Sequence, residues 1–148
     1  MNKLMMEFES VLEMVHSVDI GRTFGVDMSK SEFIVMRVIF RVAKAYGEKV
    51  LVSDVVNRMK VSAQAISKSL KSLEKKGYIE RFSNKEDRRR MEIIVTDKGN
   101  ETYSHIIKKS DEVLSVVLEQ FGEKEFETYI CLTRKLTNLY GKAMADMK

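Results

Sequence analysis

The sequence predicts a mainly α-helical fold carrying one small β-hairpin. Three observations predict it. Apolar residues recur at helical spacing over much of the 148 residues, and no proline interrupts them. Two short helical stretches between Ser53 and Lys76 are separated by a tight turn, the layout of a helix-turn-helix. Two runs of strand composition, Tyr78–Phe82 and Met91–Val95, flank a polar loop.

Taken in order, Leu4, Phe8, Val11, Leu12 and Val15 share one face of an amphipathic helix over 3–18. Gly21 and Gly25 are expected to bracket a loop. Ser29-Lys30-Ser31-Glu32 has capping-box spacing and starts a helix over 30–45. That helix is apolar around much of its circumference, so it is placed centrally. Gly47 is expected to end it in a left-handed cap. Ser53 is the expected N-cap of a short helix over 54–59, with Asp54 at its positive end. Lys60-Val61-Ser62 makes the turn, and Ser62 caps a helix over 63–76 that Gly77 closes. After the hairpin, Thr96 and Asp97 cap a long helix over 97–120. Its Tyr103, Ile106, Ile107, Leu114, Val117 and Phe121 form one stripe. Gly122 breaks it, and a last helix over 123–146 carries Phe126, Ile130, Leu136, Tyr140 and Met144.

These helices organise the chain. A winged helix-turn-helix region covers 30–98. The helices over 1–20 and 97–146 hold more apolar surface than so small a domain needs, which points to a homodimer interface. A monomeric bundle folded onto the winged region is the alternative.

Charge is localised. Residues 58–98 contain 12 Lys/Arg and 6 Asp/Glu, a net of +6, whereas the whole chain carries +4. The basic excess is therefore a patch, which suits a polyanion. The composition, 44% hydrophobic and 32% charged, is that of a soluble globular protein. No apolar run approaches membrane-spanning length, and Glu7, Glu9 and Glu13 argue against a secretory signal. A single cysteine, Cys131, excludes an intramolecular disulfide. A cytoplasmic protein is expected, with no membrane partner.

Over 63–76, Ile66, Leu70 and Leu73 fall on one side, and Gln64, Lys68, Lys71 and Lys75 on the other. Gln64 can bond adenine bidentately and Lys68 can donate to guanine acceptors in a major groove. Ala63 and Ala65 leave the helix start unobstructed, and Ser62, Ser67, Ser69 or Ser72 can donate without bulk. Lys71 and Lys75 suit phosphates. At the loop tip, Asp87, Arg88, Arg89 and Arg90 place guanidinium groups where a narrow minor groove would attract them. Asp87 is expected to hold Arg89 in position.

The order of elements, with LEKKGYIER over Leu73–Arg81 and EDRRRMEIIVTDKG over Glu86–Gly99, resembles the MarR (multiple antibiotic resistance regulator) family of winged-helix transcription factors. The resemblance covers essentially the whole chain. It implies a homodimer on palindromic double-stranded DNA, with helix 63–76 in the major groove and Arg89, of the Asp87-x-Arg89 pattern, in the minor groove. It also implies repression relieved by a small-molecule effector or by cysteine oxidation. Peroxide-sensing members carry a cysteine in the first helix. Here Cys131 is in the last, where packing is its expected role. His16 and His105 are too few for a dedicated zinc site, so no metal or cofactor is expected. A small-molecule pocket would draw on Met14, His16, Phe24, Met28, Phe33, Met36, Phe40 and His105, residue types that also serve as plain core. A winged module that binds protein or RNA is the competing function. An enzyme is not expected, because no phosphate loop or activated nucleophile is present.

Overall fold

The computed structural model describes every residue except 1–5, 9, 12, 14–16, 18, 48, 60, 84–89 and 148. Of the helix expected over 3–18, positions 6–8, 10, 11 and 13 are described and helical. Helix α1 spans Ile20–Phe24, so Gly21 lies inside a helix and not at the edge of a loop. The Asp19 carboxylate accepts the Arg22 N–H at 3.2 Å and caps it, and Gly25 ends it. Helix α2, Lys30–Tyr46, carries both halves of the capping box. Ser29 N–H donates to Glu32 at 2.6 Å, and Glu32 N–H donates to Ser29 Oγ at 3.3 Å. Gly47 follows at a positive φ of 103°, as a left-handed cap requires, but its ψ of 176° lies outside the left-handed helical well.

Strand β1, Val50–Leu51, pairs with β3, Met91–Val95, which pairs in turn with β2, Ile79–Ser83. The antiparallel order is β1-β3-β2. Helix α3, Val52–Arg58, springs directly from β1 and starts two residues earlier than expected. Its N-cap is Leu51, with no side-chain cap, and Ser53 sits exposed in its first turn. The sheet pairing of Leu51 with Glu92 sets that start, not a hydroxyl.

Helix α4, Ala63–Lys75, ends in two paired bonds. Gly77 N–H donates to the Glu74 carbonyl and Tyr78 N–H to the Leu73 carbonyl, both at 2.9 Å. This is the Schellman arrangement, and it requires the positive φ of 75° that Gly77 supplies. Helix α5, Asp97–Phe121, begins against the same corner. The Thr96 hydroxyl donates to the Gly77 carbonyl at 2.7 Å and accepts the Gly99 N–H at 3.1 Å. A Cβ on Gly99 would collide with the Tyr78 carbonyl oxygen and lie 2.8 Å from Val95 Cγ1, so only glycine admits this approach. Helix α6 spans Glu123–Asp146, with Gly122 as its N-cap.

The chain divides into two compact units, 1–106 and 107–148. In the first, Val35, Met36, Ile39, Val55, Ile66, Leu70, Leu73, Ile93 and Ile106 are each no more than 1% exposed. Burying each such side chain stabilises the fold by about 1.5–3 kcal/mol relative to exposure. In the second unit no described residue is buried, and Leu132, Leu139 and Tyr140 are 59%, 55% and 62% exposed. The single stripe expected along α5 therefore divides. Tyr103 and Ile106 pack on the winged core, while Leu114, Val117 and Phe121 are exposed. Cys131, expected to be packed, is also exposed. Among the described residues, no helix is long and apolar enough to cross a membrane.

Candidate nucleic-acid interface

The interface is built on α4. Ser62 caps it as expected, accepting the Ala65 N–H at 3.2 Å. Ile66, Leu70 and Leu73 are buried against α2, which turns Gln64, Lys68, Lys71 and Lys75 outward. All four are exposed, as are Ser62, Ala63, Ala65 and Ser67. Ser69 is half-buried. Ser72 is half-buried and helps to lower the Glu32 pKa.

Not every cation of the basic segment faces solvent. Arg81 on β2 donates through Nε at 3.1 Å, and through Nη2, to Glu74 Oε2 and ties the wing to α4. That hydrogen bond and the adjacent guanidinium hold the Glu74 carboxyl below its ordinary value, with slight burial opposing. Lys76 reaches Glu32 at 2.9 Å and Asp27 at 3.0 Å. Lys98 donates to the Lys76 carbonyl at 2.6 Å and lies 4.8 Å over the Tyr78 ring. Arg58 donates to the Tyr46 hydroxyl at 3.2 Å. Lys68, Lys71, Lys75 and Arg90 are exposed and carry no ion pair among the described residues. The patch is thus narrower than its formal charge, and it lies along one helix face and the foot of the wing. Asp87, Arg88 and Arg89, with the expected Asp87–Arg89 pair, lie outside the described residues.

The residues expected to line a ligand pocket separate. Met28 and Met36, at 2% and 0% exposed, belong to the core. Phe33 and Phe40 are half-buried and stack on Tyr103, at centroid distances of 6.0 and 3.9 Å. Tyr103, which sequence reasoning assigned to a stripe, is the centre of this aromatic group. Burial raises its phenol's pKa, with Arg37 and Arg41 opposing. His105 Nε2 lies 3.4 Å from the Phe24 carbonyl oxygen. Met14 and His16 lie outside the described residues. A cavity of about 310 Å³ opens beside Phe40, with Ala43, Ile94, Val95, Asp97 and Asn100 as its other walls. Among the described residues no cluster of three His, Cys, Asp or Glu could hold a metal ion.

A short helix, a turn, an outward-facing basic helix and a hairpin on a three-stranded sheet define a winged helix-turn-helix protein. A model of the MarR family matches residues 19–90. Over that stretch, just under half of its length, the chain is similar to that family. It is 27% identical to the helix-turn-helix transcriptional regulator YpoP of Bacillus subtilis over 137 residues, 90% of this chain and 94% of that one. With YwhA of the same organism it shares 24% over 102 residues, 69% and 70% of the two chains. The fold matches that of S. aureus MepR in a DNA complex, with TM-score 0.73, 18% identity, and 94% and 99% of the two chains covered. It also matches the crystal structure of MarR, with TM-score 0.68, 23% identity, and coverage of 93% and 98%.

Proposed function

We propose that this protein is a homodimeric, sequence-specific regulator that binds palindromic double-stranded DNA and represses transcription until a small-molecule effector releases it. The observation that carries this reading is the outward row of α4. Gln64, Lys68, Lys71 and Lys75 share one exposed face without partners among the described residues, while the opposite face is anchored in the core. A rigid helix presenting one amide and three ammonium groups has the chemistry of major-groove readout. Ser62, Ala63, Ala65 and Ser67 leave its N-terminus open to close approach. Arg90 immediately precedes β3 at the wing, beside Arg88 and Arg89 in sequence, and these guanidinium groups serve the minor groove, with Asp87 orienting Arg89. That MepR, of like fold, is found in a DNA complex supports DNA as the partner.

The uncovered apolar faces within 107–148 support a two-fold dimer, which matches a palindromic site. The stacked Phe33, Tyr103 and Phe40, with Phe24 and His105 alongside one another, support an aromatic effector site.

Selection of bound duplexes from random sequence tests the reading. The expected result is a palindromic consensus bound with a steep salt dependence, each neutralised phosphate adding about −0.9 to the log–log slope. Arg89→Ala weakens binding to that consensus by about 1–3 kcal/mol. Gln64→Ala alters the consensus more than it alters affinity for unrelated duplex. Absence of any enriched duplex, or tighter binding to RNA, overturns the reading.

A further inference from the structure

We propose that Glu32 and Lys76 form a strut that sets the pose of α4, making both positioning residues for base readout although neither lies on the outward row. The proposal rests on the DNA-binding reading above and adds to it the pair that fixes where the helix points.

Glu32 is 5% exposed at the start of α2. Its carboxylate accepts the Ser29 N–H at 2.6 Å and the Lys76 ammonium at 2.9 Å, and Ser72 is a neighbour that helps to lower its pKa. Ser72 and Lys76 are one turn apart on α4, at i and i+4. A single buried carboxylate on α2 therefore grips the C-terminal end of α4 through Lys76, with Ser72 beside it. Lys76, the C-cap of α4, extends the grip to Asp27 at 3.0 Å, although that carboxylate is 79% exposed and lends little. The Tyr78 hydroxyl donates to the Asp27 carbonyl at 3.2 Å, and Lys98 holds the Lys76 carbonyl from α5. Burial alone would raise the Glu32 carboxyl. Its neighbours Ser72, Ser29 and Lys76 more than offset that and keep it ionised at neutral pH.

The strut supplies what the apolar seam cannot. Contacts of Ile66, Leu70 and Leu73 with the core are non-directional, so they hold the helices together without fixing roll or axial register. A charge-assisted hydrogen bond has a preferred length and angle, so the Lys76–Glu32 bond at the helix end restrains both. Gln64 is 8 residues from Ser72 and 12 from Lys76, about 12–18 Å along the axis. A small rotation at the grip thus becomes a displacement at the reading end, where hydrogen-bonded recognition tolerates little. Stability gives no comparable reason for the pair, since an apolar pair of similar volume is often as stable as a buried ion pair.

The full-length chain is tested as Glu32→Gln, Lys76→Arg and the double variant E32M/K76M. Affinity is read for the selected operator and for unrelated duplex, together with salt slope, thermal midpoint and hydrogen exchange of the α4 amides. Glu32→Gln is expected to lose operator affinity at least tenfold, to keep unrelated-duplex affinity within twofold and to leave the salt slope unchanged. Its α4 amides exchange faster. Lys76→Arg retains most of the operator preference. Should Glu32→Gln not fold, E32M/K76M is expected to fold and to lose the same preference. A lower thermal midpoint with operator preference intact, or a parallel loss on both duplexes, overturns the strut. If the parent protein prefers no duplex, the DNA reading fails by itself. Hydrogen exchange then decides the strut, and unchanged α4 exchange in Glu32→Gln overturns it.

Discussion

In the winged unit Ile39, Leu70 and Ile93 are at most 1% exposed, whereas in 107–148 Leu132, Leu139 and Tyr140 stand 59%, 55% and 62% exposed. Both regions are built from amphipathic helices with aliphatic stripes at the same spacing. In the first, α2, α3, α4, the start of α5 and a sheet cover one another's stripes. In the second, two helices leave theirs open. The difference teaches that periodicity specifies a face needing cover and is silent on which chain supplies it. Each open leucine would gain about 1.5–3 kcal/mol from full burial, so several together amply drive association.

The largest expected effect tests the closed region. Leu70→Ala removes a side chain that is 1% exposed, and unfolding in denaturant should show a loss of about 2–5 kcal/mol. A loss well under 1 kcal/mol would mean that the winged core is loosely packed. Next, Leu132→Asp with Leu139→Asp tests the open region. Light scattering should report a dimer for the parent and a monomer for the variant, with about 1.5–3 kcal/mol lost per side chain. A parent that stays monomeric at micromolar concentration breaks the comparison as drawn. Gly99→Ala probes the corner where α5 meets Tyr78. The added methyl should cost about 1–3 kcal/mol in thermal or chemical unfolding, because a backbone carbonyl must move. An unchanged midpoint would show that α5 docks more loosely than its geometry implies.

The smallest effect concerns acid. The Glu32 pKa is lower folded than unfolded, so its contribution is present above the ordinary glutamate value, about 4.3, and fades as pH falls through the lower folded value. Glu32→Gln should therefore flatten the acid limb of the stability–pH curve. An identical acid limb in parent and variant would remove that linkage.

Much of the fold was legible because its signals are local. The Ser29–Glu32 box, the Ser62 cap, the two faces of α4 and the turn at Gly77 each depend on residues within one helical turn. The family resemblance was readable from the element order and the motifs over 73–99, and the charge reading pointed to the helix on which the proposed interface is built. Other features depend on partners distant in sequence. Strand β1 is two residues long and has no period of its own. Ile93 and Glu92 define it, and it displaces the start of α3 from Ser53 to Leu51. Counting charges could not show that Lys76, Arg81 and Lys98 are engaged internally, because Glu32 lies 44 residues from Lys76. Met28 and Met36 looked like candidate pocket walls until their burial placed them in the core, and Tyr103 took the central position among the aromatics.

Among the described residues, the outward row of α4 shares no hydrogen bond with the groups that hold the helix in place. Its chemistry is thereby decoupled from its support. On the proposed reading, substitutions at Gln64, Lys68 or Lys71 rewrite the molecular address while the scaffold's folding is untouched, so descendants of this chain could acquire new targets through single surface changes without first passing through an unstable ancestor.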